Sequence, residues 1–335
     1  MSRSSSLSFA RTAVLGLLVA VVMGGMPSNS RAQDALPSWH DGTARQQIVD
    51  FVNRVTNPNS PDFVPPADRV ATFDNDGTLW LERPTYVQLA FVEERVRELA
   101  PNHPAWSTTQ PFQAVLEEDR ERLETLTVDE LMMLVVATHA RTSQEAFVAE
   151  ARRFLEDARH PRFDVRYTDL VYQPMLELMG YLRANEFRVF IVSGGGVDFI
   201  RSFSEPVYGV PAENVVGSSL TYTFVDESGD MVIMRNPEID VLNDREVKPA
   251  SIALHIGRRP LVAVGNSDGD LQMLQYATAG SEPGLAVLLH HDDAEREYDY
   301  DHGTEQALEA AIEGGWTLVS IRDDFATVFP IDAED

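Results

Sequence analysis

Asp74 and Asp76 stand in the run Asp74-Asn75-Asp76-Gly77-Thr78, directly after the apolar residues 70–73. A carboxylate at the tip of a buried strand is held without conformational search, which suits a nucleophile. Three further polar runs follow along the chain: Ser193-Gly194-Gly195-Gly196, Lys248-Pro249 and Gly265-Asn266-Ser267-Asp268-Gly269-Asp270. Taken singly, each has a plainer meaning. A serine-glycine run is an ordinary turn, and a lone lysine is normally a solvated surface charge. Asp74, Asp76 and Gly77 also fit part of a calcium loop. Setting Gly77 at the sixth position of an EF-hand, however, puts Thr72 at the first and Arg83 at the twelfth, where neither can be the required ligand. The chain has no cysteine, which excludes disulfides, thiolate zinc sites and a cysteine nucleophile. Any covalent route must then use another side chain, and aspartate is the obvious candidate.

The elements that position these residues follow from hydrophobic patterning. Apolar runs at 70–73, 187–192, 261–264 and 285–289 are short, rich in strand formers, and end abruptly in polar residues, as buried parallel strands do. Helical patterns at 175–184 and 271–276 separate them, predicting an α/β fold with a doubly wound parallel sheet. In such sheets ligands bind beyond the carboxyl ends of the strands, and the polar runs lie at those ends. Between the first two strands, residues 81–166 hold helical patterns at 86–99, 111–123, 128–138 and 144–158 with few strand signals. They predict an inserted helical cap over the crevice, leaving 33–80 and 167–335 as the catalytic core. A helix is expected at 45–55, a loop at 57–66, and a β-hairpin at 220–234 around Glu227-Ser228-Gly229-Asp230.

The four polar runs, in order, resemble the four motifs of haloacid dehalogenase-superfamily phosphatases, over roughly residues 70–290. The resemblance is to the phosphoserine-phosphatase-like branch, whose cap is inserted after the first motif, on a Rossmann-like core. It implies that Asp74 forms an aspartyl-phosphate. Asp76 would protonate the departing alkoxide and then take a proton from the hydrolytic water. Dehalogenases of the superfamily lack the second aspartate, so Asp76 favours phosphate esters. Thr78, Ser193, Gly194 and Lys248 would bind the phosphoryl group, Lys248 as a point charge. Mg²⁺ would be held by Asp74, Asp76 through its main-chain carbonyl, Asn266 and Asp270. One departure stands out: the fourth motif opens Gly265-Asn266 where the family usually has Gly-Asp, so a neutral amide replaces a carboxylate and should bind the cation more weakly. Asp268 is a rival to Asp270 at the metal. A small phosphate monoester is the implied substrate. Two other outcomes of these residues are a phosphotransferase or phosphomutase of the same fold, and a secreted binder of a phosphorylated ligand without turnover, against which Asp76 and Lys248 argue.

Other residues carry less. Trp80 and Glu82 divide evenly between packing and lining the site entrance. His103, His139 and His160 are isolated and are expected to be structural or on the surface. His290-His291-Asp292-Asp293 follows a strand and is simpler as a polar loop than as a second metal site. A net charge of -26 repels polyphosphate backbones, so nucleic acid is not an expected partner. Arg3 and Arg11, the apolar residues 13–23, and Ser30-Arg31-Ala32 before Gln33 together read as a cleavable secretory signal at 1–32. The apolar run falls short of the roughly 20 residues a spanning helix needs, so no stable membrane anchor is expected; a secreted or periplasmic protein is. The sequence leaves the oligomeric state open. Mass-spectrometric reading of the exported product should find an N-terminus near Gln33; a membrane-retained product that keeps Leu15 and Val22 would contradict this.

Overall fold

A computed structural model describes residues 36–227 and 229–333; the expected signal segment lies outside the described residues. Among the described residues, no helix is long and apolar enough to cross a membrane. Seven strands form one sheet in the order β4-β3-β2-β1-β5-β6-β7. They are β1 (Val70–Phe73), β2 (Arg188–Gly196), β3 (Val215–Glu227), β4 (Asp230–Val241), β5 (Val262–Gly265), β6 (Leu285–His290) and β7 (Thr317–Ser320). All neighbours are parallel except β4, which runs antiparallel to β3.

Period-two alternation places the strand side chains on two faces. Ala71, Phe73, Val262, Val264, Val287 and Leu289 join a core shared with the helices Thr43–Thr56 and Gln173–Ala184. Ala263, Ala286 and Leu288 point the other way, toward the helices Val247–His255, Leu271–Thr278 and Glu305–Gly314. Both faces are covered, which is why these strands read as unbroken apolar runs. β1 sits between β2 and β5, where the strand order reverses, and Asp74 N–H donates to the Val264 carbonyl at 2.9 Å. The first polar run therefore leaves the sheet at its switch point.

The helical segment between β1 and β2 contains Val87–Leu99, Phe112–Leu116, Arg120–Glu124, Val128–His139 and Gln144–Asp157. The helix expected at 111–123 is two: Glu118 adopts φ 55°, and the Asp119 carboxylate caps a new start by accepting from Arg122 N–H at 3.1 Å. Val92, Val96, Phe112, Val115, Leu123 and Leu134 form a separate apolar core. The last helix packs differently, sending Phe147, Phe154 and Leu155 into the main core.

The hairpin is longer than the sequence pattern suggested. β3 begins as a parallel partner of β2 and continues with β4 as a two-stranded ribbon, bent by register shifts at Ser219, Leu220 and Tyr222. Its return strand docks on the helical segment: Arg141 N–H donates to the Arg235 carbonyl at 2.7 Å, and Arg235 N–H to the Thr142 carbonyl at 3.0 Å. The cover over the sheet is thus helices plus ribbon.

Gly77 allows the turn after Asp76 to pack on the β5 loop. It has φ +73°, and a Cβ there would lie 2.1 Å from Asn266 Nδ2. Gly77→Ala is expected to cost more than about 1 kcal/mol, read from the urea midpoint at unchanged m-value; an unshifted midpoint would contradict the packing argument.

Candidate active site

The ends of β1, β2 and β5 open on a cavity of about 420 Å³. Asp74, Asp76, Ser193, Gly194 and Lys248 line it at the sheet end. Lys248 is placed by the first turn of its helix and is 2% exposed. Its Nζ donates to Asp74 Oδ1 at 2.7 Å and to Asp270 Oδ1 at 2.6 Å. Burial alone would pull the ammonium pKa down, but Asp270 and Asp74 more than offset it and raise it above the ordinary value. Asp74 is pushed well up, first by burial and next by Asp270, with Lys248 pulling it part of the way back. One ammonium shared by two carboxylates keeps its proton and leaves negative charge uncompensated.

Asp76 Oδ1 accepts from Trp80 Nε1 at 2.9 Å, so the fully buried Trp80 both packs and aims an acid. A Cβ on Gly195 would lie 3.4 Å from Asp76 Oδ2, which sets that oxygen against the 193–196 loop. Burial raises the Asp76 pKa, and the Trp80 bond only partly opposes it. Ser193 Oγ accepts from Gly195 N–H at 3.0 Å, and Asn243 Nδ2 holds the Ser193 carbonyl at 2.9 Å.

The structure does not bring Thr78 to the cavity. It is fully buried, and its hydroxyl donates to Asn266 Oδ1 at 3.0 Å. Asn266 and Asp270 likewise sit one layer behind the cavity wall. Asp270 Oδ2 accepts from the N–H groups of Asn266 and Ser267 at 3.0 and 3.1 Å. Asp268 faces away, with Oδ1 accepting from Ala307 N–H at 2.8 Å and Oδ2 from Gln306 Nε2 at 3.1 Å, so it ties down the helix Glu305–Gly314.

Several residues at the site carry no sequence motif. Glu82 lines the cavity, takes a 2.6 Å hydrogen bond from Tyr300, and has its pKa raised chiefly by burial. Gln88 Oε1 accepts from Gly196 N–H at 2.7 Å, pinning the helix Val87–Leu99 to the β2 loop. His139 is not on the surface: it is fully buried, lines the cavity, and lies 3.2 Å from Gln88 Nε2 through its Nε2. The two loop histidines separate. His290 meets Asp301 at 2.7 Å, whereas buried His291 spans Glu297 Oε1 at 2.6 Å and the Gly77 carbonyl at 2.8 Å, bracing the first polar run.

The oxygen-rich donor set fits a hard divalent cation. Asp74, Asp76 and Glu82 line the cavity, and Asp270 meets Lys248 from behind its wall. Among the described residues no three His, Asp or Glu side chains converge as a ready cage.

Residues 71–275 match the haloacid dehalogenase-like hydrolases. The chain belongs to this family. Comparison with curated proteins gave no match. Among solved structures, a conserved protein of unknown function from Anaerococcus prevotii shares the fold, with 15% identity, TM-score 0.53, and coverage of 84% of this chain and 94% of that one. A phosphoserine phosphohydrolase-like protein from Francisella tularensis is 16% identical, with TM-score 0.36 over 66% of this chain and 87% of that one.

In this haloacid dehalogenase-like site, raised acids have a thermodynamic consequence. Asp76 and Glu82 have ordinary values of 3.8 and 4.5. Raised in the folded state, they contribute stability that is fully present below those values and lost as pH climbs through the folded pKa. A bound divalent cation opposes that loss. The rise in Tm caused by millimolar Mg²⁺ should therefore be larger at about pH 8 than at about pH 5; equal increments at both would contradict the charge argument.

Proposed function

We propose that the protein is a Mg²⁺-dependent phosphatase that hydrolyses a small phosphate monoester through an aspartyl-phosphate on Asp74. The observation that carries this reading is the placement of Asp74 at the β1 tip, held by Lys248 at 2.7 Å and facing a cavity shared with Asp76 and Ser193. Membership of a hydrolase family supports it, and the cap position expected from the sequence accords with the phosphoserine-phosphatase-like branch. The exported location expected from residues 1–32 belongs to the same proposal.

The steps follow from the residues. Asp74 attacks phosphorus as the bond to the ester oxygen breaks, and Asp76 gives its proton to the departing alkoxide. Its raised pKa keeps that proton available. A water then attacks the phosphorus of the aspartyl-phosphate, Asp76 takes a proton from it, and the bond to Asp74 breaks to release inorganic phosphate. Lys248, together with Ser193 and the N–H groups of the neighbouring loop, holds phosphoryl oxygens in line and compensates their charge. Asp74 and the Asp76 carbonyl would hold Mg²⁺ at the cavity, with Asn266 and Asp270 supporting that end from behind its wall; the bound cation would polarise a phosphoryl oxygen and neutralise developing charge.

With Mg²⁺ and a panel of phosphomonoesters, Asp74→Asn should lower kcat more than about a thousand-fold and abolish acid-stable phosphorylation of the protein. Asp76→Asn should lower kcat about 10²- to 10⁴-fold with ligand binding largely kept. Near wild-type kcat in Asp74→Asn would overturn the mechanism.

A further inference from the structure

We propose that the cavity selects phosphate monoesters of uncharged, apolar alcohols and disfavours those whose alcohol carries a carboxylate. The inference rests on the phosphatase reading and adds the class of leaving group to it.

The cavity lining is of two kinds. Besides the carboxylates and lysine it includes Leu89, Val92, Leu131 and Val135 from the helices Val87–Leu99 and Val128–His139, and Leu220 and Val241 from the ribbon. The apolar wall continues to the mouth, where Val128, Ile239 and Leu242 line the cavity and remain 60%, 40% and 40% exposed. At about 420 Å³ the space exceeds what a phosphate fills and lies within the range of small-ligand pockets. A carbon chain beyond the phosphate would leave water for this wall, which is favourable in proportion to the apolar area removed.

The charges point the same way. Among the described residues lining the cavity, the lysines and arginines are Lys248 and Arg235. Lys248 is held by Asp74 and Asp270. Arg235 is 2.6 Å from Asp198, with the two side chains 6% and 1% exposed, and its guanidinium stacks 3.6 Å over the Phe147 ring centroid. His139 bonds Thr138 through Nδ1 at 2.8 Å, and burial favours its neutral form. A substrate carboxylate would find these cations already paired with Asp74, Asp270 and Asp198 and would face Asp76 and Glu82. Stripping such a group of water without a partner is expensive.

Primary alkyl phosphates share one leaving-group chemistry, so a comparison among them reads the wall and not the acidity of the alcohol. The test measures kcat/KM for ethyl, butyl and hexyl phosphate and O-phosphoserine with Mg²⁺, together with calorimetric binding of ethylphosphonate and hexylphosphonate, which are not hydrolysed. From ethyl to hexyl, kcat/KM should rise about three- to four-fold per methylene, and phosphoserine should fall at least about ten-fold below butyl phosphate. Hexylphosphonate should bind more tightly than ethylphosphonate. Val135→Asn, which sets an amide in the wall, should shrink the hexyl-to-ethyl ratio at least about five-fold. A flat series with normal turnover, or a preference for phosphoserine, overturns this inference and leaves the phosphatase reading standing. Chain-length-dependent phosphonate binding without hydrolysis of any ester does the reverse.

Discussion

Two acidic side chains from neighbouring strand ends converge on a single buried ammonium, and the rest of the site is arranged around that imbalance. Lys248 is 2% exposed, yet it serves both Asp74 and Asp270. Burying charge is costly unless partners are close and the remaining lone pairs are satisfied. The backbone N–H groups of Asn266 and Ser267 meet that need at Asp270. What they leave unmatched is the negative charge of Asp74, reinforced by Asp76 nearby. Such a crowding of like charges makes a poor stabilising element. It also explains why the surrounding loops are so tightly braced, since a pocket that concentrates like charges tends to spread apart unless its backbone is tied.

The bracing comes from residues remote in sequence. His291 reaches the Gly77 carbonyl, and Gln88 holds Gly196 N–H. Asp268, through Ala307 and Gln306, fixes the turn that also carries Asp270. Each of these contacts joins a segment that bears the chemistry to one that bears none. The loops at the strand ends are thereby fixed both by partners from distant segments and, at Asp268, by a side chain of the loop itself.

This division decides what could be read from the sequence. β1, β5 and β6 were legible nearly to the residue, because an apolar run ending in a polar cluster has one simple meaning in a sheet covered on both faces. The meeting of Asp74, Asp76, Ser193 and Lys248 at one cavity was legible for the same reason, since they are fixed to strand ends or the first turn of a helix. Thr78 was read as a phosphate contact, but its hydroxyl turns to Asn266, a choice made by side-chain packing between two loops. The split near Glu118 hid inside a helical pattern because periodicity registers apolar spacing and not a single left-handed residue. His139, Glu82, Gln88, Arg235 and His291 gave no clear signal, since their roles arise from contacts across 37 to 218 residues of chain, as between Arg235 and Asp198 or Glu82 and Tyr300.

The ribbon formed by β3 and β4 leaves the sheet and exchanges backbone hydrogen bonds with the helical segment through Arg235, Arg141 and Thr142. The roof of the cavity is therefore composite, contributed by two stretches of chain that flank the β2 loop in sequence. Grafting the helical segment from a relative, without its matching ribbon, would leave Arg141 and Thr142 facing a foreign strand edge and part of the apolar wall unreplaced. The cavity lining in this architecture comes as a pair of pieces, while the carboxylates and lysine beneath stay with the sheet.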